Sequence, residues 1–395
     1  MSRRRPDDLP ARVSVAIAGA GIAGCAAALA LQAAGLTDVV VLDRDRAPAF
    51  RLGETIPAFA VGLLKRLGAY GRAATLRPLE SSGSTSLWGK DTPGHNDALG
   101  DPDGAGWHLD RAAFDAALRE EVRARGIALV AGHLTEVRRA EAGGFRLAFA
   151  RGPAAGAIEA DVLLDASGAG ATALRRLGIA RNPVDELTVR HAVLAVEATG
   201  ATAARTFLEA VPYGWWYATR IPGDRMVAMV ATDPAAAAEA GLSLRSTDGF
   251  RRALEATHLV GPAVAAARPA GILSAGGSSA SSAILSGIAG PDWLAAGDAG
   301  WSCDPLTAQG ITKALMEGIA AAAAITDRQR GNAGAFAAYQ AIAFARFTAN
   351  LRLRAALYTA ETRWPDKPFW RARRLEGPVP AAEDEPARRL PPLFS

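Results

Sequence analysis

The stretch Val13-Ser14-Val15-Ala16-Ile17-Ala18-Gly19-Ala20-Gly21-Ile22-Ala23-Gly24, followed by Asp38-Val39-Val40-Val41-Leu42-Asp43, decides the fold. An apolar strand over residues 13–18 runs into glycines spaced G-x-G-x-x-G, and a helix over 22–34 leads to a second apolar strand over 38–42. In such a unit the first glycine makes the turn and the second lets the backbone approach a pyrophosphate. The third lets helix pack on strand. Backbone N–H groups at the helix start, about Ile22 and Ala23, would hold the phosphates. Asp43, at the end of the second strand, is placed to accept both hydroxyls of an adenosine ribose. The pattern predicts nucleotide binding.

Working outward, 395 residues at 50% hydrophobic and 21% charged suffice for one large core or two coupled ones. The net charge of +4, from 44 basic and 40 acidic residues of scattered sign, gives no basic face and argues against nucleic acid. Cys25 and Cys303 are far apart, so neither a disulfide framework nor a dithiol centre is expected, and a reducing, cytoplasmic compartment fits. Arg3, Arg4 and Arg5 before an apolar run imitate a secretory signal, but the glycines and the following Asp43-Arg44-Asp45 favour a strand, turn and helix. No other run is long enough to span a bilayer, so no stable membrane insertion is expected. Five histidines without ligand spacing predict no metal site.

Two distant apolar strands end in acidic turns: residues 160–164 before Asp165-Ala166-Ser167-Gly168, and 294–296 before Gly297-Asp298-Ala299-Gly300. The second continues into Asp304-Pro305-Leu306-Thr307-Ala308-Gln309-Gly310-Ile311. With the N-terminal unit, these predict FAD rather than NAD. Asp298 would meet the ribityl chain. A helix starting near Pro305 would point its positive end at the flavin N1 and C2 carbonyl, with Gly310 and Ile311 in close approach.

The expected architecture is α/β: a Rossmann-like FAD-binding domain, a second antiparallel-sheet substrate domain and C-terminal helices. The boundaries read as 13–75, 105–180 and 285–330 for the discontinuous FAD-binding domain and 76–104 with 181–284 for the substrate domain. A helical segment over 331–375 and an irregular tail over 376–395 follow. Strand composition at 189–197, 206–211, 214–220 and 226–232 supplies the second sheet, and Gly276 to Ser282 reads as a crossover between domains.

The glycine fingerprint, the Asp165 segment and the Gly297-Asp298 segment, in this order, resemble the flavin monooxygenases of the p-hydroxybenzoate hydroxylase fold, which includes flavin-dependent tryptophan halogenases. Further stretches carry a narrower resemblance: Arg51-Leu52-Gly53-Glu54-Thr55-Ile56-Pro57, Trp107-His108-Leu109-Asp110-Arg111, Gly214-Trp215-Trp216-Tyr217 and Glu361-Thr362-Arg363-Trp364-Pro365. Together these look like halogenase-like maturases that oxidise a tryptophan of a partner protein on the way to a cysteine tryptophylquinone cofactor. The resemblance implies that Gly53, Glu54 and Thr55 form a strap along the flavin and that Arg111 contacts its phosphates. Arg44 and Arg51 join the expected cofactor set. Reading the residues alone, Arg111 could instead pair with Asp115, and Glu54 with Arg51.

The family's halogenases carry a lysine just before the strand that corresponds to residues 84–88; here residues 77–83 read Arg-Pro-Leu-Glu-Ser-Ser-Gly. The resemblance therefore implies hydroxylation of an electron-rich aromatic ring through a flavin C4a-hydroperoxide, with a tryptophan of a partner protein or peptide as substrate. Small-molecule hydroxylation, halogenation and alkene reduction of the geranylgeranyl-reductase kind are the alternatives. The flavin carries the chemistry, so no catalytic side chain is assigned. O2 and a reductant, NAD(P)H or a separate flavin reductase, complete the reaction. Trp215, Trp216, Tyr217 and Asp304 are the expected substrate pocket.

Overall fold

The computed structural model describes residues 10–44, 50–98, 104–151, 154–197 and 204–374. The tail over 376–395 lies outside them. The first layer is a seven-stranded sheet. Its order runs Ala128–Ala131, Val39–Asp43, Arg12–Ala18, Ala154–Asp165, Phe145–Arg151, His133–Arg139, with Trp293–Ala295 added beside Ala154–Asp165. Arg12–Ala18 pairs in parallel with Val39–Asp43 and with Ala154–Asp165, which pairs in parallel with Trp293–Ala295. Parallel strands covered on both faces have no need of alternation, which is why Val39-Val40-Val41-Leu42 is buried throughout.

The helix Ile22–Ala33 lies between this sheet and the long helix Gly310–Gln329, and nine of its twelve residues are buried. Their axes approach closely because small residues meet: a Cβ on Gly318 would lie 2.8 Å from the Ala26 Cβ and collide with the Ala23 carbonyl.

The second layer is a nine-stranded sheet in the order Pro269–Ser279, Thr188–Val196, Arg225–Thr232, Gly214–Ile221, Ala204–Val211, Leu79–Leu87, Trp107–His108, Thr55–Ile56, with Gly94–Asp97 on Leu79–Leu87. Its pairs are antiparallel except Ala204–Val211 with Leu79–Leu87, which run parallel because they come from distant parts of the chain. The helices Thr247–Glu255 and Val260–Ala266 cover one face. The other face receives the C-terminal residues Tyr358, Phe369 and Trp370, packed edge to face at 5.3 to 5.9 Å between ring centroids. Trp370 donates to the Val211 carbonyl at 2.9 Å and Trp88 to the Leu357 carbonyl at 2.9 Å, so the helix Ala335–Ala360 and its continuation are tied to the sheet at two points.

Two expectations are corrected. Of the expected crossover Gly276 to Ser282, residues 276–279 are the end of the edge strand Pro269–Ser279 and only 280–282 lead out of it; a Cβ on Gly276 or Gly277 would press on the side chains of His191 and Arg190. The helix expected near Pro305 begins at Gly310. Residues Pro305–Thr307 form a single 3-10 turn, and Ala308 at φ +50° turns the chain before the α-helix starts.

Candidate active site

Three turns converge at the carboxyl ends of the parallel strands, where ligands bind in open α/β sheets. Ala18 is in register with Asp165, and Asp165 with Ala295. Gly19, at φ +106°, lies so close to the second turn that a Cβ would stand 2.5 Å from the Ala166 carbonyl; a Cβ on Gly24 would strike the Gly19 carbonyl. A Cβ on Gly297 would stand 2.8 Å from that of Ala23. Gly21 differs from its neighbours: nothing lies within 4 Å of where its Cβ would be. It caps the helix with no side-chain hydrogen bond and no acidic residue in the first turn, so the N–H groups of Ile22 and Ala23 border an open cradle at the positive helix end.

The Gly310–Gln329 helix also starts without a side-chain cap, and nothing lies within 4 Å of a Cβ on Gly310. Ile311 is buried beside it. These two uncapped helix starts, with open space before each, fit a ligand that carries a pyrophosphate at one end and an electron-accepting ring at the other. Asp43 ends its strand partly buried, with Arg44 exposed next to it. Asp298 is half exposed on its turn, whereas Asp165 is fully buried and accepts from the backbone N–H groups of Ser167, Ala173 and Leu174 at 2.9 Å each. Of the two acidic turns, only the second offers its carboxylate to a ligand.

The strap is built as a short strand, Thr55–Ile56, paired with Trp107–His108. Gly53 sits at φ +103° with the Arg111 guanidinium packed where a side chain would be. Arg111 donates to the carbonyls of Leu52 at 2.9 Å and Gly53 at 3.1 Å, and it stands 3.4 Å from Asp115. Arg51 pairs with the same carboxylate at 3.3 Å, so the Arg51–Glu54 pair is not formed.

Glu54 is buried, its Oε1 has no hydrogen-bond partner, and burial raises its pKa from 4.5 to about 7 despite the nearby Arg111. The folded state therefore keeps a proton that the unfolded chain loses. Glu54 alone should thus lower stability without cofactor by up to roughly 3 kcal/mol as pH rises from about 4.5 through about 7, opposed by buried His108, whose pKa is pushed down to about 4 and which adds stability as pH rises over nearly the same range. Glu54→Gln removes the falling contribution, so stability in thermal unfolding should climb more steeply with pH across that range than in wild type; an unchanged pH dependence would place the titration elsewhere.

Behind the strap lies a hydrogen-bonded cluster that reading the sequence did not reveal. His108 is buried and held neutral, its pKa pushed down to about 4 by desolvation. Its Nε2 lies 2.7 Å from the Ala204 carbonyl, which can only accept, so Nε2 carries the proton and Nδ1 accepts. The hydroxyls of Thr55 at 2.8 Å and Thr219 at 3.2 Å both face Nδ1, and the Tyr217 hydroxyl lies in hydrogen-bond contact with Thr55 at 3.0 Å. The only hint in the sequence was the proximity of His108 to the Asp110-Arg111 helix start.

The expected aromatic pocket is also corrected. Strand alternation separates its members: Trp216 points to the helix-covered face and packs at 5.0 Å on Phe250, while Trp215 and Tyr217 point to the opposite one. Trp215 is itself enclosed, donating to the Tyr358 hydroxyl at 3.1 Å. Tyr358 donates to Asp304 at 2.8 Å, and Arg354 bridges Asp304 at 3.1 Å and Asp185 at 2.9 Å. Asp304 thus anchors a buried network whose other half, Arg354 and Tyr358, comes from a distant helix with no local motif. Asp304→Ala would leave Arg354 with Asp185 alone and the buried Tyr358 hydroxyl without its acceptor, and should cost about 1–3 kcal/mol in urea unfolding. A cost under ~1 kcal/mol would free Asp304 for another role.

Among the described residues no group of three or more His, Cys, Asp or Glu could hold a metal ion, and no helix is long and apolar enough to cross a membrane.

Comparison with known proteins agrees with this geometry. Over 365 residues the chain is 26% identical to LodB of Marinomonas mediterranea, described as a putative FAD-dependent oxidoreductase, covering 90% of this chain and 95% of that one. The flavin-dependent halogenase CmlS superposes with a TM-score of 0.82 at 26% identity, covering 93% of this chain and 68% of that one. QhpG, a peptidyl tryptophan dihydroxylase essential for tryptophylquinone cofactor biogenesis, superposes with a TM-score of 0.71 at 25% identity, covering 92% and 79%. The fold, the paired helix starts and these relatives define an FAD-dependent oxidoreductase. Residues 89–388 match the tryptophan halogenase family, and the chain belongs to it.

Proposed function

We propose that this enzyme is a monooxygenase that hydroxylates the indole of a tryptophan borne by a partner protein or peptide. Bound FAD, once reduced, supplies the chemistry by turning O2 into an electrophilic oxygen donor. The chain's own residues bind, orient and exclude water. The Gly19–Gly24 turn holds the pyrophosphate, Asp43 the adenosine ribose and Asp298 the ribityl chain. The positive start of the Gly310–Gln329 helix faces the pyrimidine edge of the flavin, where charge develops on reduction. Gly53, Glu54 and Thr55 lie along the cofactor, and Arg111 keeps the strap in place through the Leu52 and Gly53 carbonyls. Tyr217, buried and hydrogen-bonded to Thr55, backs the strap from behind.

The observation that carries the reading concerns lysine. A halogenase must hold hypochlorous acid on a lysine amine between flavin and substrate. The strand Leu79–Leu87, next to the strap's partner strand, reads Leu-Glu-Ser-Ser-Gly-Ser-Thr-Ser-Leu. Lys65, Lys90 and Lys367 are exposed, and the nitrogen of Lys313 is shut in by Asp298, Glu317 and the Trp301 ring. No lysine is thus offered to a relay. The likeness to QhpG, whose substrate is a peptidyl tryptophan, supports a polypeptide over a small molecule. The test is product mass after a single turnover with a tryptophan-bearing polypeptide.

A further inference from the structure

Lys313 is 6% exposed, deeper than any other lysine of the chain. It stands in the first turn of the Gly310–Gln329 helix, and Glu317 follows one turn later. Its Nζ lies 3.5 Å from Asp298 Oδ1, 3.5 Å from Glu317 Oε2 and 4.4 Å from the centroid of Trp301, with no hydrogen bond of good geometry. Glu317 Oε2 accepts from the Gly297 backbone N–H at 2.7 Å, and Oε1 has no partner among the described residues. A buried ion pair with unfilled hydrogen bonds is weak support for a fold, because apolar residues of the same volume usually serve as well or better. This one is spent on a single turn, the one that carries Asp298.

We propose that Lys313 and Glu317 are positioning residues that set the electrostatic potential at the flavin: Lys313 offsets the charge of Asp298, and Glu317 limits that offset while fixing the Gly297 backbone. The inference rests on the reading that Asp298 borders bound FAD. Two-electron reduction takes neutral oxidised flavin, with two electrons and one proton, to a reduced flavin of one negative charge. Any change in the charge next to Asp298 therefore changes the affinities for the two redox states unequally. Without Lys313, the carboxylates of Asp298 and Glu317 are both left uncompensated, so the reduced anion is disfavoured. Without the Glu317 charge, Lys313 fully balances Asp298 and the reduced anion is favoured.

The two substitutions must therefore move the flavin potential in opposite directions, which loosening of a structural contact would not do. The experiment loads wild type, Lys313→Met and Glu317→Gln with FAD and measures midpoint potentials by dye equilibration at one pH. For Lys313→Met the ratio of reduced to oxidised affinity should fall about tenfold, a potential about 30 mV lower for a two-electron couple. For Glu317→Gln it should rise by a similar factor. Shifts of the same sign, or none, would overturn the proposal. Should Lys313→Met fail to fold, the near-isosteric Glu317→Gln decides by its sign, and Lys313→Arg should keep the wild-type value. Wild type that takes up no FAD would instead fail the cofactor reading itself.

Discussion

Given reduced flavin, O2, chloride and a tryptophan-bearing partner polypeptide, the enzyme should add one or two oxygen atoms to the indole and leave chloride untouched. The expectation follows from what each reaction asks of the protein. Chlorination separates the site where hypochlorous acid forms from the ring it attacks, so an amine must stand between them to hold the oxidant. The strand over residues 79–87 supplies serines and threonine, and the enclosed Lys313 has two carboxylates and an indole around its nitrogen. Hydroxylation needs only that the ring be held next to the flavin and that water be kept away. Mass spectrometry of the product reads the outcome directly. A chlorine isotope pattern on tryptophan would refute the assignment, as would hydrogen peroxide production with the indole unaltered when the correct partner is present.

The second large effect is expected at Gly21. Its φ of −75° and ψ of −174° are accessible to any residue, and a Cβ there meets nothing within 4 Å. Gly21→Val should therefore fold, at a cost of roughly 1 kcal/mol for the poorer helix cap. The same side chain would occupy the cradle in front of the Ile22 and Ala23 N–H groups. FAD affinity should fall at least ~100-fold, about 3 kcal/mol. Flavin fluorescence titration gives the affinity, and urea unfolding of the cofactor-free protein gives the stability. Gly24→Val is the control with the opposite balance, since its side chain would strike the Gly19 carbonyl and damage the fold first. If Gly21→Val binds FAD as tightly as wild type, the pyrophosphate does not sit on this helix.

The parts of the molecule legible in sequence are those governed by local rules. The G-x-G-x-x-G turn lies between a strand and a helix as read, because strand burial, glycine spacing and helix start act within a dozen residues. The strand Ala154–Asp165 was only half visible: its first half is a hairpin partner of Phe145–Arg151 whose Ala and Gly composition carries no strand signal. Long-range pairing was not legible at all. Trp215 reads as a pocket wall until Tyr358 occupies its N–H, and Asp304 reads as a polar lining residue until Arg354 neutralises it. In both cases the partner lies on a helix whose own sequence shows only Ala-rich periodicity. Lys313 and Glu317 carry the i,i+4 spacing of an ordinary surface pair; only the packing of Trp301 and the Gly297 turn over them makes the pair buried.

The C-terminal clasp on the second sheet bears on how the chain is made. Strands 188–196, 204–211, 214–221 and 225–232 leave the ribosome long before Tyr358, Phe369 and Trp370, which cover one face of that sheet. During synthesis the face bearing Trp215 and Tyr217 stays bare and wettable only at a cost, inviting holdase chaperones. The N-terminal sheet is likewise unfinished until Trp293–Ala295 joins it. Neither layer matures while the ribosome is still on the first half of the message. Rapid completion through residue 370 shortens the interval in which the nascent protein can aggregate.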